Sequence, residues 1–328
     1  MLDKFFPLYI ISFLSTLVFT VILEGRLLPR LARIAKQPIY ADGPRWHMKK
    51  SGTPTMGGLA FVLSSAAVNI LSALFMAAIG YNKTALSLII CLIYATSNAL
   101  IGIIDDLTKL KNKRNKGLTP LAKLIMQTAS AILFLVLRAV FIKDTTELSF
   151  SFGSVDLGWL YYPIALFILV GIVNSANLTD GIDGLAASVA FAIGVSLFYV
   201  SAALSIDGAL ISSVIMGASV GFLIFNLHPA RIFMGDTGSL FFGAFIAASA
   251  FALSNPVIII PIAAVYAFEG LSVIIQVAYF KLTRKRVFKM APFHHHLEKC
   301  GWSENKICIA AMLATLISSI PVYVFYLP

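Results

Sequence analysis

Long apolar stretches constrain this chain more than any other feature, because a helix needs about 20 mostly apolar residues to cross a bilayer. The apolar blocks lie near 5–25, 55–79, 84–104, 121–142, 160–176, 184–204, 209–226, 238–254, 256–279 and 306–326. Only 12% of the 328 residues are charged, and a soluble chain carries about twice that share. The sequence predicts one all-α integral membrane domain over 1–328 with about ten transmembrane helices. Nine or eleven would also fit, since several blocks are short.

Positive charge is concentrated in alternate loops. Most of the 25 Lys and Arg residues fall in the loops 25–50, 105–123 and 281–306. Basic loops stay on the cytoplasmic side, so we expect these loops, and any active site that they border, to lie at the cytoplasmic face and both termini to lie outside. The same rule explains the net charge of +10, and no nucleic-acid-binding signature accompanies it. The acidic loop 143–158 alternates apolar and polar residues, which predicts a short outer hairpin.

Acidic residues are few, and several lie at the predicted cytoplasmic ends of spans. Asp105 and Asp106 end the third span, Asp180 and Asp183 follow the fifth, and Asp236 precedes the eighth. Carboxylates brought together repel one another unless a cation offsets them. Oxygen ligands without Cys or His partners suit Mg²⁺, which also binds substrate phosphates. The pattern therefore predicts a Mg²⁺ and phosphate site at one membrane surface.

Helix capping is the alternative explanation for some of these acids. Asp183 and Asp236 each stand in a glycine-rich turn that leads into a helix. An Asp there commonly caps the helix, while the free N–H groups of the turn attract phosphate. Asp105 and Asp106 end a helix, where the dipole disfavours acids. They need a metal or a basic partner, and Lys109 is a candidate for the latter.

Two further segments carry polar groups to the same side. Residues 49–58 combine lysines, hydroxyls and glycines at a helix start, which suits either phosphate binding or a membrane anchor. Three consecutive histidines, 294–296, suit phosphate binding or proton transfer better than zinc, because adjacent side chains cannot easily face one ion. Glu269 lies deep in the ninth span, where an acid is either functional or held by hydrogen bonds. Gly270 beside it would allow a bend.

Together these motifs resemble the phospho-N-acetylmuramoyl-pentapeptide transferase family, within the polyprenyl-phosphate N-acetylhexosamine-1-phosphate transferase superfamily. The aspartate motifs are typical of the superfamily, and the segments 52–58 and 290–296 of the family itself. The resemblance implies a multi-pass enzyme of the bacterial inner membrane, often a homodimer. It would transfer phospho-N-acetylmuramoyl-pentapeptide from UDP-N-acetylmuramoyl-pentapeptide to undecaprenyl phosphate, giving lipid I and UMP in peptidoglycan synthesis. A bent ninth helix would border a groove for the prenyl chain.

The resemblance also implies roles for single residues. Asp236 would ligate Mg²⁺, and Asp105 and Asp106 would act as a base or position the acceptor phosphate. His294 is the remaining catalytic candidate. The implied substrate-binding residues are Lys50, Thr55, Lys109, Asn174, Asn177, Asp180, Asp183, Asn226, Phe233, His295 and His296.

Three alternatives to this activity stay open. A sister transferase that uses UDP-N-acetylglucosamine would share the aspartates and the metal, but the triple histidine disfavours it. A membrane transporter would also be a helical bundle, yet transport sites lie near the bilayer midplane. A structural scaffold would leave the aspartate and histidine clusters without a cause.

Overall fold

Helices make up most of the computed structural model, which describes residues 2–35, 50, 52–112 and 117–326. The basic loops predicted at 25–50 and 105–123 therefore lie partly outside the described residues. The α-helices are α1 (Leu2–Ile34), α2 (Gly58–Ala78), α3 (Asn82–Asn112), α4 (Pro120–Leu137), α5 (Tyr161–Thr179), α6 (Leu185–Leu204), α7 (Ile206–Asn226), α8 (Gly235–Ala252), α9 (Ile259–Ile262), α10 (Ala264–Thr283), α11 (Phe293–Lys299), α12 (Glu304–Ser318) and α13 (Ile320–Tyr326). They confirm the predicted all-α class.

Nine helical segments of the described chain are long and apolar enough to cross a membrane. They are Lys4–Ile34, Gly58–Ala78, Asn82–Lys111, Pro120–Ile142, Gly158–Thr179, Leu185–Leu204, Ile206–Asn226, Ala264–Thr283 and Glu304–Tyr326. The remaining predicted block, 238–254, is helix α8, which has only 18 residues and begins with a polar turn. Every residue of α8 from Thr237 to Ala252 is buried. Helices α2, α3, α5, α6 and α7 pack around it.

The predicted ninth span, 256–279, is interrupted in the structure. Helix α9 ends at Ile262 and α10 begins at Ala264. Helix α10 then continues through Gly270 without interruption, and a bend at this glycine stays a prediction. Gly270 has a packing role, since a Cβ there would lie 2.5 Å from Ser175 Oγ.

The loop between α4 and α5 forms the predicted hairpin. Strand β1 (Glu147–Phe150) pairs antiparallel with β2 (Gly153–Asp156), and Glu147 lies opposite Asp156. A π-helical turn, Arg138–Ile142, joins α4 to this hairpin. The hairpin prediction is confirmed over its central residues.

Arg138 connects this region to the end of helix α8. Its Nη2 donates a hydrogen bond to the Phe251 carbonyl at 2.6 Å and to Asp144 Oδ1 at 2.9 Å. Its Nη1 donates to Ser87 Oγ at 3.1 Å. A cation therefore binds the last turn of α8, where the helix dipole favours positive charge.

At the other end of α8, two glycines let neighbouring helices approach its backbone. A Cβ on Gly102 of α3 would lie 2.3 Å from the Asp236 carbonyl oxygen, and one on Gly58 of α2 would lie 2.4 Å from Gly238 Cα. A side chain at either position would collide with main-chain atoms. These close crossings place Asp106, in the C-terminal part of α3, beside the first turn of α8.

We expect Gly102→Ala to destabilise the protein, because the methyl group meets backbone that cannot move aside cheaply. Overpacking of this kind costs about 1–3 kcal/mol, which would appear as a lower thermal unfolding temperature in detergent. Gly171→Ala in α5 is the control, since a Cβ there meets nothing within 4 Å and alanine favours helix. Equal unfolding temperatures for the two variants would contradict the close crossing of α3 and α8.

Candidate active site

A carboxylate from helix α3 accepts hydrogen bonds from the first turn of helix α8. Asp106 accepts hydrogen bonds from the backbone N–H of Asp236 at 3.1 Å and of Thr237 at 2.9 Å. It also accepts one from the Thr237 hydroxyl at 2.7 Å. The capping role considered for Asp236 therefore belongs to Asp106. Asp105 and Asp106 do not end their helix as expected from the sequence, because α3 continues past them to Asn112, so the helix dipole acts on them little.

Two lysines join Asp105 to Asp236. Lys109 Nζ lies 2.7 Å from Asp105 Oδ2 and 3.1 Å from Asp236 Oδ1. Lys123, in the first turn of α4, lies 3.5 Å from Asp105 Oδ1 and forms a closer ion pair with Asp236 Oδ2. Lys109 is thus the basic partner expected from the sequence, and Lys123 is a second one.

The last turn of α5 brings further polar groups to the same place. Asn177 Nδ2 donates to Asp236 Oδ1 at 3.1 Å and to Ser239 Oγ at 2.8 Å. Asp180 follows this turn. Burial, followed by the negative charges of neighbouring aspartates, raises the pKa of Asp180 to about 8. Those aspartates are Asp236, Asp106 and Asp183. Asp180 therefore lies where a carboxylate is poorly solvated and close to other negative charges.

The carboxylates also provide donor atoms for a hard cation. One oxygen each of Asp105, Asp106 and Asp236 lies within 4.8 Å of the other two, and an all-oxygen donor set suits Mg²⁺. Asp236 is the most accessible, with its side chain 14% exposed compared with 1% for Asp105. Asp106 is already bound by the amides of α8. The three carboxylates therefore have the chemistry to fit a divalent cation such as Mg²⁺.

A second polar network surrounds Asp183. Lys50 Nζ lies 2.7 Å from Asp183 Oδ1 and 2.7 Å from Glu304 Oε2. Glu304 also accepts a hydrogen bond from the Asp183 amide at 2.7 Å. His228 Nδ1 lies 3.0 Å from Asp183 Oδ2. The network joins the segment before α2, the turn between α5 and α6, the loop before α8 and the start of α12.

Two asparagines assigned to substrate binding support the site in this structure. Asn226 Oδ1 accepts from the Gly184 amide at 3.0 Å, and its Nδ2 donates to the Ile232 carbonyl at 2.8 Å. Asn174 Nδ2 donates to Gln127 Oε1 at 2.7 Å, which links α5 to α4. These bonds hold the loops and helices that carry the carboxylates.

Thr55 and Phe233 lie on paired segments beside the start of α8. The Phe233 amide donates to the Pro54 carbonyl at 2.8 Å, and the Gly57 amide donates to the Phe233 carbonyl at 2.9 Å. Thr55 is buried, and a Cβ on Gly235 would lie 3.0 Å from its Oγ1. Both residues therefore border the carboxylate cluster.

His294 is fully buried between Glu269 and the turn after α5. Its backbone N–H donates to Glu269 Oε1 at 3.1 Å, and its Nδ1 lies 3.2 Å from Glu269 Oε2. Its Nε2 faces Gly181, where a Cβ would lie 2.2 Å from it. Glu269 is thus held by hydrogen bonds, which is one of the two roles expected for it.

The other two histidines of the run have separate hydrogen-bond partners. His295 Nδ1 lies 2.6 Å from Glu298 Oε2, and the His295 ring lies beside that of His294, with centroids 4.2 Å apart. His296 Nδ1 accepts a hydrogen bond from the Lys289 amide at 3.0 Å, and its ring stacks on Phe293. His294 and His295 therefore contact each other while His296 packs elsewhere, and the contacts of all three with substrate stay a prediction.

Lys123 and Glu304 are site residues without a distinctive sequence signal. Lys123 belongs to a basic loop, where it looks like one more positive residue of the cytoplasmic side. Glu304 lies in the first turn of α12 after the capping residue Ser303, a place where acids commonly favour the helix dipole. Their roles depend on partners far away along the chain.

Comparison with known proteins defines the class of this site. The family model of glycosyl transferase family 4 matches residues 86–254, which include the aspartate cluster. A signature of phospho-N-acetylmuramoyl-pentapeptide-transferase matches residues 50–62. The helical membrane fold and its carboxylates are therefore those of a glycosyl transferase of family 4.

Curated relatives narrow this class. The chain is 42% identical over 303 residues to a phospho-N-acetylmuramoyl-pentapeptide-transferase of Halalkalibacterium halodurans, covering 92% of each chain. It is 40% identical to one of Clostridioides difficile, over 86% of each chain. It is 38% identical to one of Bacillus subtilis, over 94% of this chain and 95% of the relative. The chain belongs to the phospho-N-acetylmuramoyl-pentapeptide-transferase family.

We expect Asp106→Ala to lower the thermal unfolding temperature, because two amides and a hydroxyl at the start of α8 lose their acceptor. Leaving buried donors unpaired costs about 1–3 kcal/mol. Asp156→Ala on the hairpin is the comparison, since the donors to that carboxylate are exposed and can bond to water instead. Asp106→Ala unfolding at the temperature of Asp156→Ala or above would contradict the capping role.

Proposed function

We propose that the chain transfers phospho-N-acetylmuramoyl-pentapeptide from UDP-N-acetylmuramoyl-pentapeptide to undecaprenyl phosphate, with Mg²⁺ held by Asp236. Membership of the family supports the reaction, whose products are lipid I and UMP. The observation that carries the proposal is the meeting of Asp105, Asp106 and Asp236 within 4.8 Å beside two lysines. This site combines donors for a divalent cation with cations for phosphate.

The residues around the cluster bind and orient the two phosphate-bearing substrates. Lys109 and Lys123 supply positive charge beside Asp236, where it stabilises charge on the phosphates. When bound at Asp236, Mg²⁺ neutralises charge on the donor diphosphate and on the departing UMP. Lys50, Thr55, Asn177, Asp180 and Phe233 hold the uridine and the diphosphate, as the resemblance implies.

We propose direct attack rather than a covalent enzyme intermediate. A phosphate oxygen of the acceptor attacks the β-phosphorus of the donor, the bond from that phosphorus to UMP breaks, and UMP leaves as an anion. The acceptor phosphate is largely ionised at neutral pH, so alignment matters more than a base. Asp106 is bound to the start of α8 and Asp105 is paired with Lys109, which supports positioning roles for both.

The orientation follows from the charges around the site. Lys109, Lys123 and Lys50 lie with the carboxylates at one end of the helices, and basic segments stay on the cytoplasmic side. We therefore place the site at the cytoplasmic face of a bacterial inner membrane, with both termini outside. The homodimer and the prenyl groove rest on the resemblance.

We expect Asp236→Asn to abolish turnover even in excess Mg²⁺, because the amide is a poor ligand and the accessible carboxylate is lost. Purified protein with both substrates is assayed for UMP, with and without EDTA, and the variant should fall by ~100-fold or more. Asp156→Asn, on the hairpin, is the control with the same chemical change. Near-normal UMP release by Asp236→Asn would remove the metal role.

The same assay separates the alternatives. UDP-N-acetylglucosamine added as a competing donor should yield little product, whereas a sister transferase would prefer it. A transporter or scaffold would release no UMP at all. Isolation of a phosphorylated aspartate would overturn direct attack.

We also expect the apparent affinity for Mg²⁺ to increase with pH around the pKa of Asp180, which burial raises to about 8. Below this pKa the carboxyl holds a proton, and a cation bound nearby must displace it. The Mg²⁺ concentration for half-maximal UMP release should therefore fall as the pH rises from about 7 to about 9. Asp180→Asn cannot titrate and should lose this dependence. An unchanged dependence in Asp180→Asn would assign it to another group.

A further inference from the structure

An open cavity of about 530 Å³ lies next to the Asp183 network. Its volume falls within the roughly 300–1,000 Å³ of small-ligand sites. Two lining residues, His228 and Glu304, belong to the network itself. The outer wall comes from the end of α11 and the turn before α12. Its lining residues there include Glu298, Lys299, Trp302 and Asn305.

The turn after α5 links this cavity to the carboxylate cluster. At one end of the turn, Asn177 in the last turn of α5 donates a hydrogen bond to Asp236 Oδ1 at 3.1 Å. Asp183, at the other end, contacts the cavity-lining His228 at 3.0 Å and Glu304 through its amide at 2.7 Å. A substrate whose diphosphate lies at the cluster can therefore place another part of the molecule in the cavity.

The lining has the chemistry of a peptide site rather than of a phosphate or lipid site. Lys299 offers an ammonium group for a carboxylate, and Asn305 offers both a donor and an acceptor for backbone amides. Trp302 provides a flat apolar surface, and Lys306 Nζ lies 4.3 Å from its ring centroid. The carboxylates of Glu298 and Glu304 would repel a phosphate, and the charged groups of the lining disfavour an apolar prenyl chain.

We propose that this cavity binds the peptide of the sugar-phosphate donor, with Lys299 pairing to a peptide carboxylate and Trp302 packing on the peptide backbone. The inference rests on the proposed function, because that function supplies a donor bearing a peptide. It assigns peptide recognition to α11 and the turn before α12, apart from the groups that handle phosphate.

The test compares the binding of two ligands to the purified full-length protein by calorimetry. One is UDP-N-acetylmuramoyl-pentapeptide and the other is UDP-N-acetylmuramic acid, which lacks the peptide. Trp302→Ala and Lys299→Glu should each raise the dissociation constant of the first roughly tenfold. The dissociation constant of the second should stay within about twofold of the wild-type value.

Two control variants make the same kinds of substitution at positions away from the cavity. Lys285→Glu reverses an exposed charge on the segment after α10, and Trp159→Ala removes an indole beside the hairpin, which is 76% exposed. Both should bind both ligands like the wild type. Equal losses for the two ligands in Trp302→Ala and Lys299→Glu, or no loss for either, would overturn the inference.

A separate assay keeps the two proposals apart. UMP release by the wild-type protein tests the proposed function without reference to the cavity. Peptide-dependent binding without UMP release would count against the transferase reaction and support the cavity assignment. UMP release by the wild-type protein, together with variants that lose no affinity for the peptide-bearing ligand, would support the transferase reaction and count against the cavity assignment.

Discussion

Helix α8 depends on charged side chains from other helices at both of its ends. It is enclosed by protein from Thr237 onward, so water cannot reach most of it, and terminal amides and carbonyls need partners. Asp106 accepts from the first amides, and Arg138 donates to the Phe251 carbonyl in the last turn. Each charge also complements the helix dipole. Because Asp236 stands in the capped turn, the bond that stabilises α8 also positions the proposed metal ligand.

The charges at the start of α8 do not balance. Asp105, Asp106, Asp180 and Asp236 face only Lys109 and Lys123 in the described part of the cluster, and the neighbouring carboxylates add to burial in raising the pKa of Asp180. A fully neutralised cluster would have little need of a cation. An unbalanced one attracts a divalent ion, which in turn attracts the phosphates that carboxylates alone would repel. Lys109 and Lys123 meanwhile reduce the mutual repulsion of these acids.

Apolar blocks and the positions of the acids were sufficient to predict an all-α membrane fold and a carboxylate site. Individual roles were not predictable, because they depend on contacts between distant segments. Nothing local distinguishes Asp106, which caps another helix, from Asp105, which pairs with Lys109. Lys123 looks like one more residue of a basic loop. The enclosure of α8 by other helices depends on glycines at its crossings, and the apolar composition of 238–254 alone does not show it.

The residues proposed to handle phosphate and the residues proposed to recognise the peptide lie in different parts of the chain. The match to glycosyl transferase family 4 covers 86–254, which contains every aspartate of the cluster as well as Lys109 and Lys123. The cavity wall formed by α11 and the start of α12 lies beyond that match. A shared phosphate-handling core needs only the groups within it, since any sugar diphosphate donor presents the same charges. Discrimination between donors requires contacts with the part of the donor that differs, which is the peptide in the proposed reaction. Helices α11 and α12 are placed to make such contacts, because Glu304 at the start of α12 contacts Asp183 at the edge of the common site.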